Sequence, residues 1–437
     1  MLDMKWIREH TEEVQAAADH KQIGLSVAEL LEWDGQRRQL LAGMERLRQQ
    51  RNEITEEIHS AMLLKKRAEA EALRNEAADI KGALQEAEIR FNEADEKYKQ
   101  LMLLVPNIVS NDTPIGRSDA DNVEVRRWGA PAAFDFEPLD HVMLGRNLGI
   151  LDIERGVKVA GNRHYYLKGD GFRLQRAVQQ LALDVLERKG FDFYEVPLMV
   201  GREAMVNTGF FPLGEDQTYP IQGESRFLVG TSEVPLIGYF SGDVVDLAKG
   251  PVKAASLSVC FRSEVGSAGR DTAGLYRVHQ FSKVEQVVLC RSDDRLSEQL
   301  LQEITVSAEE ILQLLELPYK VMAVCTGDMS QKTYKQYDIE TWMPGRASYG
   351  ETHSSSNLRD FQARRSNIRY RDEDGSLKFC HTLNNTAIAA PRILIPLLEN
   401  HQQEDGSVYL PQALRPYMGG RDRLVPVCND LLAETRE

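Results

Sequence analysis

The longest regular pattern along the chain is a heptad repeat of apolar residues from Gln36 to Leu101, a stretch without proline or a turn dipeptide. Its first half, interrupted by Arg51, carries Leu40, Met44, Leu47, Ile54, Ile58 and Ala61. Its second half alternates steps of four and three residues through Leu73, Ala77, Ile80, Leu84, Ala87, Phe91, Ala94, Tyr98 and Leu101. These seams predict two long helices that pair as an antiparallel coiled-coil arm, with the reversal between Met62 and Glu69.

Beyond this arm the pattern changes to shorter, mixed elements. Residues 105–138 are rich in proline, glycine, asparagine and aspartate, which is typical of a linker. Helical periodicity then runs from Phe172 to Lys189, closes at Gly190 and passes into a strand that ends at Pro197. Further strand patterns occupy 226–229, 256–261, 284–290 and 337–342, and a helix-length apolar stretch spans 387–400. This order predicts an N-terminal domain (1–104), the linker, and an α+β domain (139–437) with an antiparallel sheet and flanking helices.

Two of these strands, 256–261 and 284–289, flank a polar loop that contains Gly266, Gly269 and Gly274. The spacing predicts an antiparallel hairpin with a mobile loop. Because side chains alternate along a strand, Arg262 and Glu264 can address one ligand, as can Arg277, Phe281 and Glu285. Guanidinium groups bind phosphate, an aromatic ring stacks on a base, and a carboxylate holds a metal or an amine. The alternative is a surface hairpin whose charges are only solvated.

Three other segments carry chemistry of the same kind. Thr231-Ser232-Glu233 places a hydroxyl and a carboxylate together after an apolar strand, which suits a small amino acid. Glu351 is followed by a run of hydroxyl residues, and Arg392 lies near a predicted helix start. Taken singly, each is more often a cap or a turn. The familiar nucleotide motifs, the P-loop, the dinucleotide fingerprint and H-x-G-H, do not occur.

Charge and composition narrow the class of protein. The formal net charge is -14, which excludes a surface that coats nucleic acid generally. The arm is neutral, with 13 basic and 13 acidic residues, and its cations suited to phosphate are Arg46, Arg48, Arg51, Lys65, Lys66 and Arg67. The alternative for the arm is a spacer or dimerisation coiled coil. No apolar run predicts a membrane span, the first residues lack a signal-peptide layout, and the expected location is the cytosol. The five scattered cysteines predict neither a disulfide framework nor a structural zinc site.

Together these segments resemble the seryl-tRNA synthetase family, which is a class II aminoacyl-tRNA synthetase family. The resemblance extends from the arm to Gly419, and its most specific parts are 261–285, 325–329 and 354–365. The helix and strand that end at Pro197 resemble class II motif 1, which forms the dimer interface in that family. The hairpin resembles motif 2, and 384–400 resembles motif 3. The resemblance implies a homodimer with a class II catalytic domain.

The resemblance also implies an ATP site with Mg²⁺. Arg262 would hold the α-phosphate, Phe281 would stack on adenine, and Arg392 would bind the far phosphates. Glu351 would hold the divalent metal. The implied ATP contacts are Arg262, Ser263, Glu264, Val278, Phe281, Glu351, Thr352, His353, Ser354 and Arg392. The implied catalytic residues are Arg262, Glu264 and Arg392.

For the second substrate, L-serine, the resemblance places Glu285 beneath the ammonium and Thr386 near the side-chain hydroxyl. The implied serine contacts are Thr231, Ser232, Glu233, Arg262, Glu285, Asn384 and Thr386. Arg277, in the loop, could contact phosphate or the tRNA end. Some positions depart from the common bacterial pattern, namely Ser232, Thr352, His353, Asn385, Ala387 and Pro391. His353 is interpreted as a local hydrogen-bonding residue.

The function that follows is serine activation by ATP and transfer to tRNA(Ser), with the selenocysteine tRNA as a further possible acceptor. The arm would bind the long variable region of the tRNA by shape and backbone contacts. One alternative is a related enzyme that activates an amino acid for another acceptor, although such ligases lack the long arm. Another is a non-catalytic interaction protein that uses the arm.

Overall fold

The computed structural model describes residues 1–266 and 274–427. It divides into two compact units, one of residues 2–106 and one that begins at residue 107 and includes Met1. Gly269 and Cys428 lie outside the described residues. Mobility of the 266–274 loop therefore stays a prediction. Within the described ranges, none of the helices is both long and apolar enough to cross a membrane.

The first unit is helical. Two short helices, α1 (Met4–Glu9) and α2 (Thr11–His20), precede the two long helices α3 (Val27–Leu63) and α4 (Arg67–Leu104). The Ser26 hydroxyl caps α3 by accepting a hydrogen bond from the Glu29 amide at 3.2 Å. The chain reverses over residues 64–66, inside the interval that the heptad pattern predicts.

The long helices pair in antiparallel register along the predicted seam. Met44, Ile54 and Ala61 of α3 are buried, as are Ala70, Leu84 and Ala94 of α4. Two ion pairs between α3 and α4 define the register, Arg37–Asp95 at 3.3 Å and Arg48–Glu88 at 3.2 Å. At the base of the arm, the buried carboxylate of Asp34 is surrounded by Arg8, Arg37 and Arg38. The coiled-coil prediction is confirmed.

The second unit is a mixed α+β domain. Its helices are α5 (His141–Asn147), α6 (Ile153–Ala160), α7 (Asp170–Arg188), α8 (Arg202–Asn207), α9 (Glu233–Tyr239), α10 (Asp294–Leu314), α11 (Phe361–Ser366) and α12 (Leu394–Asn400). Its strands are β1 (Val123–Trp128), β2 (Leu151–Asp152), β3 (Tyr166–Leu167), β4 (Asp192–Phe193), β5 (Met199–Gly201), β6 (Tyr219–Pro220), β7 (Arg226–Leu228), β8 (Val244–Val245), β9 (Val252–Phe261), β10 (Gln280–Cys290), β11 (Tyr319–Ala323), β12 (Lys335–Met343), β13 (Ser348–Asn357), β14 (Arg369–Arg371), β15 (Leu377–Phe379), β16 (His381–Ala390), β17 (Val408–Tyr409) and β18 (Arg423–Leu424).

Eight of these strands form one sheet in the order β1-β11-β12-β13-β16-β10-β9-β4. All neighbours are antiparallel except β4 and β9. Val284 and Val288 of β10 belong to a core that also contains apolar residues of α7 and α10. Because side chains alternate, the opposite face of β10 presents Phe281, Lys283 and Glu285. The predicted hairpin and the α+β class are confirmed.

Two sequence-based predictions differ from the structure. Within the predicted linker, β1 pairs with β11 at the edge of the large sheet, so residues 123–128 are part of the domain. The predicted helix at 387–400 is a strand up to Ala390 and a helix only from Leu394. A short apolar run that is buried on both sides has no periodicity that separates strand from helix. Pro391 lies directly after the strand, where the chain changes direction.

Candidate active site

A cavity of about 310 Å³ is lined by residues of β10, β12, β13 and β16 and by Arg262, which directly follows β9. Thirteen residues predicted from the sequence lie in its lining: Thr231, Glu233, Arg262, Glu264, Val278, Phe281, Glu285, Glu351, Thr352, Ser354, Asn384, Thr386 and Arg392. These residues span more than 160 positions of sequence, and the sheet brings them together because β10 and β16 are neighbours. The predicted residues, which come from separate segments of the sequence, therefore lie together in a single site.

Arg262 and Phe281 form one wall of the cavity. Arg262 follows the last residue of β9, and its guanidinium carbon lies 5.2 Å from the centre of the Phe281 ring. The Arg262 Nε donates to the Gly230 main-chain oxygen at 3.4 Å, which orients the guanidinium. A fixed cation beside a flat apolar ring suits a ligand that joins a phosphate to an aromatic base.

Glu264 lies where the chain turns away from β9. Its φ of 51° is in the left-handed region, a backbone conformation that residues other than glycine seldom adopt. The main-chain oxygen of Glu264 accepts a 2.7 Å hydrogen bond from Arg163, and its carboxylate pairs with Arg277 at 3.3 Å. Arg277 is not part of the cavity lining and reaches the site through Glu264. The conformation of Glu264 is thus held by cations on two sides.

Arg392 lies two residues after the end of β16 and also lines the cavity. Its Nε donates to the Tyr276 main-chain oxygen at 3.1 Å, and its guanidinium carbon lies 4.6 Å from the centre of the Tyr276 ring. One of its terminal nitrogens is 3.8 Å from a carboxylate oxygen of Glu351. Two arginines that follow different strands therefore line the cavity, and both are held by main-chain oxygens.

Two lysine–glutamate ion pairs that the sequence reasoning missed lie in the same cavity. Lys283 pairs with Glu285 and Lys332 pairs with Glu233, each at 2.6 Å. Burial raises the pKa of Glu285, and the charge of Lys283 acts against this rise. Burial likewise lowers the pKa of Lys332 against the effect of Glu233. Lys283 could have been found, because it lies two residues from both Phe281 and Glu285 and so shares their face.

Polar groups that can select a ligand surround these pairs. The Thr386 hydroxyl donates to Glu285 at 3.4 Å, because Glu285 and Thr386 are opposite each other across β10 and β16. The buried Asn384 amide nitrogen has no hydrogen-bond partner among the described residues. A buried donor without a partner is costly, and a ligand acceptor would remove that cost. Other lining residues that the sequence reasoning missed are Phe210, Leu275, Tyr276, Asp328, Ser330, Gln336, Ser356, Ala389, Ala390 and Pro391.

The oxygen donors of β13 suit a hard cation that binds together with phosphates. The side chain of Glu351 is 49% exposed, and the Ser354 hydroxyl lines the same cavity. Nearby, burial and the charge of Glu351 raise the pKa of Asp338. Mg²⁺ typically takes one or two carboxylates, several waters and the phosphates of a substrate. The donor set fits such an ion, although the described residues contain no group of three His, Cys, Asp or Glu side chains arranged to hold a metal alone.

Three of the predicted site residues do not line the cavity. Ser232 is fully buried before α9, and the Ser263 hydroxyl donates to the Asp216 main-chain oxygen at 2.6 Å. His353 alternates to the other face of β13, where its Nδ1 contacts the Thr352 hydroxyl at 2.8 Å and burial lowers its pKa to about 3. A β-bulge between β12 and β13 explains why Glu351 and its neighbour Thr352 both line the cavity. The family resemblance implies these three residues as contacts, but they are not among the residues that line the cavity.

Comparison with known proteins gives matches over both units. A model of the seryl-tRNA synthetase N-terminal domain matches residues 1–109, and a model of the class II tRNA synthetase core domain (G, H, P, S and T) matches 220–401. The serine–tRNA ligase of Deinococcus radiodurans is 45% identical over 426 residues, which cover 97% of this chain and 99% of that protein.

Solved structures with the same architecture include two complexes with adenine nucleotides. The seryl-tRNA synthetase from Pyrococcus horikoshii, complexed with ATP, is 37% identical with a TM-score of 0.88, and the match covers 98% of this chain and 100% of that one. The cytoplasmic serine–tRNA ligase from Naegleria fowleri, in complex with AMP, is 28% identical with a TM-score of 0.85, and the match covers 98% and 99% of the two chains.

Proposed function

Because this chain belongs to the seryl-tRNA synthetase family of class II aminoacyl-tRNA synthetases, we propose that in the cytosol it activates L-serine with ATP and transfers it to tRNA(Ser). The observation that carries this proposal is one cavity lined by Arg262, Phe281 and Arg392 together with the buried carboxylates of Glu233 and Glu285. A phosphate, a base and an ammonium have complementary groups in one cavity. The enzyme is a serine–tRNA ligase.

ATP would bind with its adenine against Phe281 and Val278. Arg262 would then contact the α-phosphate and Arg392 the far phosphates, as the family resemblance implies, and both cations line the cavity. Glu264, with its fixed left-handed backbone, would assist the adenine. Glu351 and Ser354 would hold Mg²⁺, which when bound supplies positive charge at the phosphate oxygens.

Serine would place its ammonium near Glu233 and Glu285. These carboxylates are paired with Lys332 and Lys283, so the substrate ammonium must share or replace a lysine contact. Thr386, Thr231 and the amide of Asn384 would contact the remaining polar atoms. Alanine and glycine would leave such buried groups without partners, which is a stronger filter than size alone.

Activation requires little beyond orientation and charge. The serine carboxylate is already ionised, so it attacks the α-phosphorus without a general base, and the bond from that phosphorus to the bridging oxygen of pyrophosphate breaks. Arg262 would stabilise the negative charge that develops on the α-phosphate oxygens. In the second step the 3′-terminal hydroxyl of the tRNA attacks the seryl carbonyl carbon and releases its proton to solvent, and the bond from that carbon to the phosphate oxygen breaks as AMP leaves.

The arm would contact the tRNA, and the motif 1 segment would contact a second copy of this chain. Arg46, Arg48 and Arg51 of α3 lie on the outer part of the arm together with Lys65, Lys66 and Arg67 at its tip, so the arm would bind tRNA through phosphates. On the motif 1 segment, Phe172 and Phe193 are 57% and 45% exposed, which supports burial in a homodimer. Charging of the selenocysteine tRNA stays a prediction, which a charging assay with that tRNA as the acceptor would test.

The proposal is tested by ATP–pyrophosphate exchange with a panel of amino acids and by charging of tRNA(Ser). We expect exchange with serine, and exchange with alanine, glycine or threonine that is weaker by at least about 10²-fold. Exchange with another amino acid instead of serine would overturn the substrate assignment. Exchange with serine but no charging would favour another acceptor, and no exchange with any amino acid would favour a non-catalytic protein that uses the arm.

Serine affinity should depend on pH through Glu285. Its pKa is raised by burial, and only the ionised carboxylate holds an ammonium, so the KM for serine should rise as the pH falls towards that pKa. Glu285→Gln imitates the protonated form, and its KM should be about ten- to a hundred-fold higher at all pH values, with a flat profile. The measurement is exchange at saturating ATP, with the KM for ATP as the control. An unchanged pH profile in the Gln variant would assign the titration to another group.

A further inference from the structure

His141 is buried at the start of α5 and lies between the end of the motif 2 loop and α12. Its Nε2 is 3.2 Å from the main-chain nitrogen of Leu275, and its Nδ1 is 2.9 Å from the Glu399 carboxylate. A main-chain N–H can only donate, so the Nε2 accepts and the ring proton is on Nδ1, which donates to Glu399. The imidazole is therefore neutral and of one tautomer, and it uses both nitrogens to connect two elements of the catalytic domain.

Gly274 brings the loop against this ring. Its φ of 75° favours glycine, and a Cβ at this position would be 2.2 Å from the His141 Nε2. The His141 Cε1 would be at 2.9 Å and Val142 Cγ2 at 3.0 Å. The chain can approach the imidazole this closely only without a side chain. The residue that follows, Leu275, is buried and lines the cavity.

The next residue connects this contact to the substrate site. The main-chain oxygen of Tyr276 accepts from Arg392 Nε, and the guanidinium carbons of Arg346 and Arg392 lie 4.5 and 4.6 Å from the centre of its ring. The other carboxylate oxygen of Glu399 accepts from the Gly345 amide at 2.9 Å. Arg392 lies just before α12 and Glu399 lies in its last turn, so the contacts close a ring from Arg392 through Tyr276, Leu275, His141 and Glu399 back to α12.

We propose that His141 is a positioning residue for ATP binding, because it fixes Leu275 and Tyr276 and, through them, the guanidinium of Arg392. His141 itself does not line the cavity. The inference rests on the proposed function and adds a residue that acts through the binding residues. A core histidine without this role would support stability alone and would leave the KM for ATP unchanged when replaced.

Two substitutions separate the contacts of the imidazole. The amide of Asn can occupy the Nδ1 position and keep Glu399 but not Leu275, whereas the longer Gln reaches the Nε2 position and can accept from Leu275. In serine-dependent exchange we expect His141→Asn to raise the KM for ATP about ten-fold and His141→Gln about three-fold or less. The KM for serine should change less than about two-fold in both. Equal effects of the two variants, or an unchanged KM for ATP in His141→Asn, would overturn the proposal.

The contact between Gly274 and His141 provides a second test that does not depend on stability. Gly274→Ala should raise the KM for ATP about thirty-fold in the otherwise unchanged protein, and only about three-fold in a His141→Ala background, where the ring is absent. If Gly274→Ala raised the KM for ATP by the same factor in both backgrounds, the proposed coupling between Gly274 and His141 would be overturned. Thermal unfolding of all variants identifies those that lose the fold. If the unsubstituted protein shows no exchange with any amino acid, the proposed function fails. If exchange is normal but does not respond to substitution of His141, only the role of His141 fails.

Discussion

Replacing Arg262 with alanine should lower serine-dependent ATP–pyrophosphate exchange by about 10³-fold, mainly in kcat. The guanidinium is held by the Gly230 oxygen and the Phe281 ring, so its charge is already oriented when the α-phosphate becomes more negative. Removal of an oriented donor at a developing charge is among the most damaging single changes in an active site. The substrate retains its other contacts, so binding should suffer less than the chemical step.

The measurement is the steady-state rate of exchange, with the temperature of unfolding as a check on folding. Arg291→Ala is the matched control, because Arg291 follows the opposite end of the same hairpin and pairs with Glu373 on the surface. It should keep exchange within about two-fold, since surface ion pairs contribute little. Arg262→Lys keeps the charge but loses the planar fork, and an intermediate rate is expected. An Arg262→Ala enzyme with a nearly normal kcat would remove Arg262 from the catalytic step.

Shortening the arm should separate the two half-reactions. Arg48 and Glu88 face each other across α3 and α4, so residues 49–87 can be replaced by a short glycine-serine turn that joins 48 to 88. We expect serine-dependent exchange within about two-fold of the full-length protein, and a loss of more than about 10²-fold in kcat/KM for tRNA charging. The reason is that the cavity residues all lie beyond residue 107, whereas the outer arm carries the cations suited to phosphates.

Exchange and charging measured on the same preparation control for each other, and circular dichroism should show only the loss of the excised helical turns. The variant keeps the Arg37–Asp95 pair and the cluster around Asp34, so the base of the arm is unchanged. Loss of both activities would refute the division of labour between arm and catalytic domain. Normal charging would show that tRNA does not need the outer arm.

The arm could be predicted closely because the spacing of its apolar residues along the chain indicates its structure. The heptad steps from Leu73 to Leu101 indicate both the helix and its buried seam, and the buried Leu84 and Ala94 lie on that seam. The reversal carries no glycine or proline, so only its approximate position followed from the pattern, and Lys65 adopts the positive φ that the turn requires. Local periodicity was sufficient here because α3 and α4 are consecutive in the chain and bury their seam residues against each other.

The cavity was predicted less completely because it depends on contacts between distant strands. Phe281 and Glu285 could be placed on one face by alternation alone, but Lys332 lies outside any recognised motif and reaches Glu233 only through the fold. Ser263 and His353 are adjacent in sequence to site residues but point elsewhere, since a turn and a bulge decide side-chain direction. The error at Ala387 has a similar origin, because full burial removes the alternation that identifies a strand.

The register of the two arm helices has a practical consequence for enzyme engineering. Splicing at Arg48 and Glu88 preserves the seam on both sides of the junction, so the outer arm of a relative can be grafted there as a cassette. Adding one heptad to each helix extends the arm by about 10 Å without changing which residues face each other. A chimaera of this kind would activate the same amino acid and acylate a different set of tRNAs, which is what an orthogonal pair for a reassigned codon requires.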